Sequence, residues 1–468
     1  MAGRKTRLGK MGLWLTAAAA VGLLGFLFIY QMIGKTPREL FDYVEERLLG
    51  HPKLQAVALP VIWEIRAYLN EPSLKERRAL QFQIPPPPPL IVNTEYRTTS
   101  DALQPGQRLI RVGPQGDAAT IAAAAKLARD GDIVEIPAGN YYGDVAIWKQ
   151  KNLTIRGVGG HARLFADGKS AGGKAIWVFR NGDFTIENID FIGAKVGDQN
   201  GAGIRFENGH LRVRHCLFYG NESGILISNK PTITATIENS EFAYNGTTSG
   251  LSHALYAGNI DALTMIGNFL HHSNTGHLIK SRARVSKILY NRITDEAGRA
   301  SYEGNFPNGG KVLLLGNIIQ QSRETENSTM VSYGEEGLTK QDNSIQLINN
   351  TLVNGHPHGG AFLRVAKGTQ AMVSINNLYV GHGKIHSGIA PDSINDVYAD
   401  WDIFEVPQRN DFTLNAKGLE TARISNAPGA SRSSTALPDR QYSHPMSTRP
   451  LSNGVTHSGA LQPVSGTP

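Results

Sequence analysis

The stretch ATIENSEF (235–242) alternates apolar and polar side chains, turns at an asparagine and closes on a large apolar residue. The same design returns in LTIRGV from residue 153, FTIENIDF from 184, LRVRHCLF from 211, LTMIGNFL from 263, SKILYNRI from 286, VLLLGNII from 312, IQLINNTL from 345 and MVSINNLY from 372. Its closing apolar position gives Phe191, Phe218, Phe242, Leu270, Ile293, Ile319, Leu352 and Tyr379, spaced 23 to 33 residues apart. A period of that length, made of short alternating runs without helical spacing, predicts a solenoid in which each repeat is one coil of a parallel β-helix. Alternate side chains then enter a shared core. Asparagines recurring at one turn would stack along the axis as a ladder of amides.

The 51 glycines and 23 prolines among 468 residues favour turns over long helices. The formal charge of +7 is concentrated before residue 105 and after residue 426, so the repeat region is nearly neutral. That distribution gives no support to a nucleic-acid partner. A single cysteine, Cys216, excludes an internal disulfide and reads as a small buried residue.

The two ends differ from the repeats. Residues 1–11 carry Arg4, Lys5, Arg7 and Lys10, and the nineteen residues 12–30 carry no charge. That run is long enough to cross a hydrocarbon core of ~30 Å as a helix. With the basic flank in front, the N-terminus stays in the cytoplasm and the rest of the chain is exported. Segment 12–33 is therefore expected to be an uncleaved inner-membrane signal anchor, with the later domain in the periplasm or outside; a cleaved signal peptide is the competing reading. A membrane-proximal helical segment is expected over 34–84, with one helix over 36–50 and another near 53–69. A proline-rich linker covers 85–106, its Pro85 to Pro89 acting as a stiff spacer. The serine-, threonine- and proline-rich residues 426–468 read as a disordered tail.

In GDAATIAAAAKLARDGDIVEIPAGNY (116–141), Asp117 is placed to cap a helix running to Arg129, which covers the exposed edge of the first coil. This arrangement and the following NLTIRGVGG resemble the entry segment of right-handed parallel β-helix proteins of the pectate-lyase-like superfamily. The resemblance covers about residues 107–425. It implies an all-β, single-stranded right-handed parallel β-helix with an N-terminal capping helix, preceded by the transmembrane and helical segments. Function is open, since such folds host lyases, hydrolases, epimerases and non-catalytic proteins.

SHALYAGN (252–259) aligns with GHLIKSRA (276–283) at an offset of 24, which makes Tyr256 and Lys280 neighbours on adjacent coils. Leu255 and Ile279 point inward, so Tyr256, Lys280 and Arg282 point outward. His253 and His277 share the inward parity unless the chain bends there. Extending the stripe adds Glu303 or Asn305 beside Lys280, then Tyr333 and Arg364, with Arg205 and Ser228 on the other side. A stripe of basic residues and tyrosines suits an extended anionic chain, because arginine binds carboxylates in two-pronged fashion. The chemistry it fits is β-elimination from a uronate-containing polysaccharide. Lys280 would be the base, Tyr256 the proton donor, and Arg282 or His277 the carboxylate holder; His253, Glu303, Asn305, Tyr333, Arg364 and Arg205 would bind substrate. Glu335 and Glu336 read as loop carboxylates.

The run Leu278 to Ser281, LIKS, resembles the lysine strand of the alginate lyase and chondroitinase B family, in which the lysine before the serine is the base; this maps onto Lys280. The family's acidic calcium-binding pair is replaced by Asn274, Thr275, Gly276 and His277, and its arginine-histidine-glycine triplet has only Arg299 as an approximate substitute. No cofactor is expected; calcium enters through the resemblance, and Asp295 with Glu296 is the pair that could hold a cation weakly. His271, His272 and Asp261 lack the compact spacing of a zinc site. C5-epimerisation uses the same proton abstraction, and glycoside hydrolysis would need a carboxylate pair. A non-catalytic glycan-binding or scaffold module in an envelope polysaccharide machinery is the third class.

Overall fold

The computed structural model describes residues 41, 44, 45, 48, 52–69, 82–91, 106–247, 250–325, 327–424 and 437–463. The expected membrane span at 12–33 lies outside the described residues, as does most of the first expected helix. Among the described residues no helix is long and apolar enough to cross a membrane. The chain divides into two units, Met1–Gln83 and Ile84–Pro468. In the first, the helix Pro52–Tyr68 contains Pro60. Arg66 donates to Glu45 at 2.7 Å and its guanidinium lies 5.4 Å from the Phe41 ring centre.

The second unit is a parallel β-helix. Each coil contributes a strand to each of three faces, as in Ala262–Ile266, Phe269–His271 and His277–Ser281. The strands of the coils pair in parallel from one coil to the next, as Ala262–Ile266 does with Val285–Leu289. Faces one and two fuse into a single sheet because Asn152–Phe165 runs unbroken around the corner between them. Face three is a separate sheet of ten strands.

The repeated phrase is the corner between faces one and two. The chain turns there on one residue with positive φ, among them Asn239 (47°), Gly267 (66°), Gly316 (65°) and Asn349 (49°). Asparagine and glycine tolerate that left-handed conformation at least cost. The next residue builds the ladder: Asn268, Asn291, Asn317, Asn350 and Asn377 pass amide bonds from coil to coil at 2.8–3.0 Å. Ser240 and Cys216 take the same place in earlier coils, Cys216 donating its N–H to Ser240 Oγ at 3.1 Å. The asparagines thus divide between two jobs, turning the chain and stitching the coils. All eight marker residues lie in the core, where Phe191, Phe218 and Phe242 stack face to face at 5.1 and 4.6 Å.

The capping helix is Ile121–Leu127, shorter than expected, and Thr120 rather than Asp117 is its N-cap. Asp144 reaches over from the next strand to accept from the N–H groups of Ile121 and Ala122. Asp117 instead accepts from Arg111 N–H. Two expectations at the edges are corrected. Residues 84–91 are not a free spacer: Tyr219 Oη donates to Pro85 O at 2.9 Å, and His161 N–H to Ile91 O at 3.0 Å. A proline run has unpaired carbonyls to offer, and the solenoid supplies the donors. Residues 437–463, within the expected disordered tail, fold back as the hairpin Arg440–Ser443 and Ser447–Pro450. Tyr442 and Ala460 join Ile403, Phe404 and Phe412 over Val353, Leu378 and Val380, closing the outer side of face two.

Candidate functional site

Face three positions the candidate residues. Its strands pair Leu255 with Ile279 and Tyr256 with Lys280, and the outer row continues through Asn305, Ser332 and Arg364. In the other direction the row passes Leu226, in the place expected for Ser228, to Arg205. From Arg205 to Ser387 the row crosses eight consecutive coils, roughly 34 Å at the usual strand spacing.

Leu278 and Ile279 are consecutive, yet both lie in the core. The strand therefore bends between them, and the alternation of sides restarts. This overturns the inward parity of the histidines. His253 stacks 4.6 Å from His277 and 5.7 Å from Tyr256, so both rings join the side that carries Lys280. His277 N–H donates to His253 Nδ1 at 3.1 Å, which leaves the His253 proton on Nε2. Burial first, then the positive Lys280 and Arg282, push His277 down to about 3; burial, then the neighbouring His277 and the same two cations, push His253 well below the usual histidine range. Both rings are neutral at neutral pH. His277 can donate or accept a hydrogen bond, but it brings no positive charge to a carboxylate.

Arg282 is the hub. Its Nε donates to Tyr256 Oη at 3.2 Å, one Nη to Asn308 Oδ1 at 2.5 Å, and the two Nη atoms to the two oxygens of Glu336 at 2.5 and 3.0 Å. Lys280 Nζ donates to the same carboxylate at 3.3 Å. The hydrogen bond from Arg282 and the charge of Lys280 hold Glu336 below the ordinary glutamate value. Glu335 accepts from Asn305 Nδ2 at 2.5 Å and from Ser332 Oγ. Arg284 pairs with Asp261 at 2.8 Å.

Two expected site residues are elsewhere. Tyr333 is fully buried and donates to Gly310 O at 2.7 Å; Ser332 holds the outer row in its place. Glu303 lies opposite Leu278, on the row that enters the core, and neither of its oxygens has a hydrogen-bond partner among the described residues. Burial and the nearby Asp295 push the Glu303 carboxyl well above its usual range. Asp295 is itself pushed up to about 7 by burial, although it accepts from the N–H groups of Ser273 and Ala300.

The raised Glu303 carboxyl has a measurable consequence. Above the ordinary carboxylate range the unfolded chain releases a proton that the folded chain keeps, so this stability contribution is complete at low pH and is lost as pH rises toward the folded value. In Glu303→Gln that slope disappears. The gap in urea midpoint between variant and wild type should widen from about pH 5 to about pH 8, by no more than about 1.4 kcal/mol per pH unit. A gap independent of pH would contradict a protonated core carboxyl.

On face two, His271 Nε2 lies 3.0 Å from Glu241 and its Nδ1 2.7 Å from His272. Among the described residues no group of three or more His, Cys, Asp or Glu is gathered closely enough to hold a metal ion. Asp295 and Glu296 do not converge: Asp295 accepts from backbone inside the coil, whereas Glu296 accepts from Arg292 at 3.3 Å.

Among solved structures, the chain is similar to one described as the crystal structure of pectate lyase Pel9A, with a TM-score of 0.48, 13% identity, and coverage of 76% of this chain and 96% of that one. The parallel β-helix itself is shown by the chain's own strand pairing. No protein-family model matches the chain, and no curated protein does. Fold and activity therefore rest on the chain's own residues.

The pairing of Tyr256 with Lys280 was legible because their coils align at an offset of 24. Glu335, Glu336 and Asn308 belong to loops, where no period marks them; their only signal is the pair of carboxylates that follows Gly334 in SYGEEG.

Proposed function

We propose that the outer row of face three binds an acidic, uronate-containing polysaccharide and cleaves it by β-elimination. The observation that carries this reading is the pair Arg282 and Lys280 gripping one carboxylate, with Tyr256 Oη 3.2 Å from Arg282 Nε. Arg282 would neutralise the uronate carboxylate, which acidifies the neighbouring C5 proton. Lys280, as the amine, would take that proton. The electron pair forms the C4=C5 double bond, the C4–O bond breaks, and Tyr256 protonates the leaving oxygen. His253 and His277, neutral and stacked beside Tyr256, would pack against the sugar rings, while Asn305, Arg364 and Arg205 extend the contact along the row.

The full chain, incubated with polygalacturonate, alginate, chondroitin and hyaluronan, should release unsaturated uronate, read by the ultraviolet absorbance of the new double bond. Exchange at C5 without that absorbance would redirect the reading to epimerisation. A second reading is a non-catalytic module in an envelope assembly, favoured by the salt bridge that occupies Lys280. Binding of acidic glycan without turnover in the wild type would support it.

The uncharged run 12–30 behind four basic residues supports an inner-membrane tether with the β-helix on the periplasmic or outer side. Wild type should then sediment with membranes, and a chain lacking residues 1–33 should not.

A further inference from the structure

Glu336 belongs to a loop that is built rather than loose. Glu336 N–H donates to Pro307 O at 2.9 Å, Gly337 N–H to Gly334 O at 3.0 Å and Thr339 N–H to Asn308 O at 3.1 Å. Leu338 packs against the main core. This backbone presents one carboxylate to the Arg282 fork and Lys280, with the two-pronged geometry that arginine gives any carboxylate. The Glu336 side chain is 41% exposed, whereas those of Arg282 and Lys280 are 21% and 13% exposed. The carboxylate can therefore leave by side-chain rotation alone, while the cations stay in place.

Two buried polar atoms lie close by. His277 Nδ1 and Asn305 Oδ1 are buried without hydrogen-bond partners among the described residues, and both residues flank Lys280 on face three. Buried polar atoms of this kind are costly unless something pairs with them.

We infer that Arg282 and Asn308 form the subsite for a uronate carboxylate, with Lys280 at its edge, and that Glu336 is its internal occupant, exchanged out when an acidic chain binds. The inference rests on the acidic-glycan reading above and adds the residue that sets affinity and selectivity. A neutral glycan offers nothing to exchange for Glu336, so it leaves the salt bridge closed. A carboxylated chain replaces one carboxylate by another. Glu336 thus screens ligands by charge and weakens those it admits.

The test is a binding titration of the full chain with oligosaccharides of polygalacturonate, alginate and chondroitin, and with neutral cello-oligosaccharides, in wild type, Glu336→Gln and Glu336→Ala. Thermal unfolding of each variant checks that the fold is retained. Both variants should bind the acidic oligosaccharide taken by wild type about tenfold more tightly, with neutral chains unaffected. Equal acidic-glycan affinity in wild type and both variants would overturn the role of Glu336 and leave the acidic-glycan reading standing. Absence of binding to every acidic probe in all three proteins would overturn both.

Discussion

Replacement of Lys280 by alanine is expected to lower turnover of the acidic glycan by about 10²- to 10⁴-fold, the usual contribution of a positioned general base. The side chain is 13% exposed and hangs from a strand paired on both sides, so its removal leaves the sheet register intact. Binding should weaken far less, because Arg282 keeps its bonds to Asn308 and Tyr256. Steady-state kinetics separate the two effects: kcat falls and KM stays within a few-fold if Lys280 acts in the transition state. A rise in KM with kcat unchanged would make Lys280 a carboxylate-binding residue only. Loss of binding with no turnover in either protein would favour the non-catalytic module.

The largest stability effect is expected from the middle of the ladder. Asn317 Oδ1 accepts from the N–H and the amide of Asn291, while its own amide donates to Ile288 O at 2.7 Å and to Asn350 Oδ1 at 2.9 Å. Asn317→Ala removes all four bonds at a fully buried site. Asn291 Nδ2 retains Met265 O, and Asn350 Oδ1 retains the Asn317 N–H. The Asn291 N–H and the Ile288 carbonyl lose their ladder partners. At about 1–3 kcal/mol for each orphaned group, the loss is about 2–6 kcal/mol. Urea denaturation of variant and wild type would show it as a lower midpoint. Because stacked coils share one core, the transition should stay cooperative. A shift below about 0.5 kcal/mol would mean that the ladder is ornamental beside core packing.

The solenoid could be read from the sequence because its physics is periodic. A residue such as Phe242 must enter the core in every coil, and a residue such as Asn239 must turn the corner in the left-handed region, so both leave marks at regular intervals. The pairing of Tyr256 with Lys280 follows from the same offset. What escaped lies where periodicity lapses. The bend at Leu278 and Ile279 restarts the alternation, which moved His253 and His277 to the site and Glu303 to the core. The position of Tyr333 fails for a related reason: coils of unequal length blur the register by one residue, enough to exchange inside for outside. Residues 437–463 carry few apolar side chains, and Tyr442 and Ala460 are too isolated to announce that they pack on face two. Glu336 sits in a loop, and its partners Lys280 and Arg282 are 56 and 54 residues away in the chain.

The central claim, that Arg282, beside Lys280 of the outer row of face three, receives the carboxylate of an acidic chain, is tested most directly by a crystal structure with a bound acidic oligosaccharide. The prediction is a uronate carboxylate within hydrogen-bond distance of Arg282, Lys280 facing C5 of that sugar, the Glu336 side chain turned away, and the sugar chain running along the row toward Arg364 or Arg205. An oligosaccharide seated on another face, with the Glu336 salt bridge to Arg282 unbroken, would contradict it.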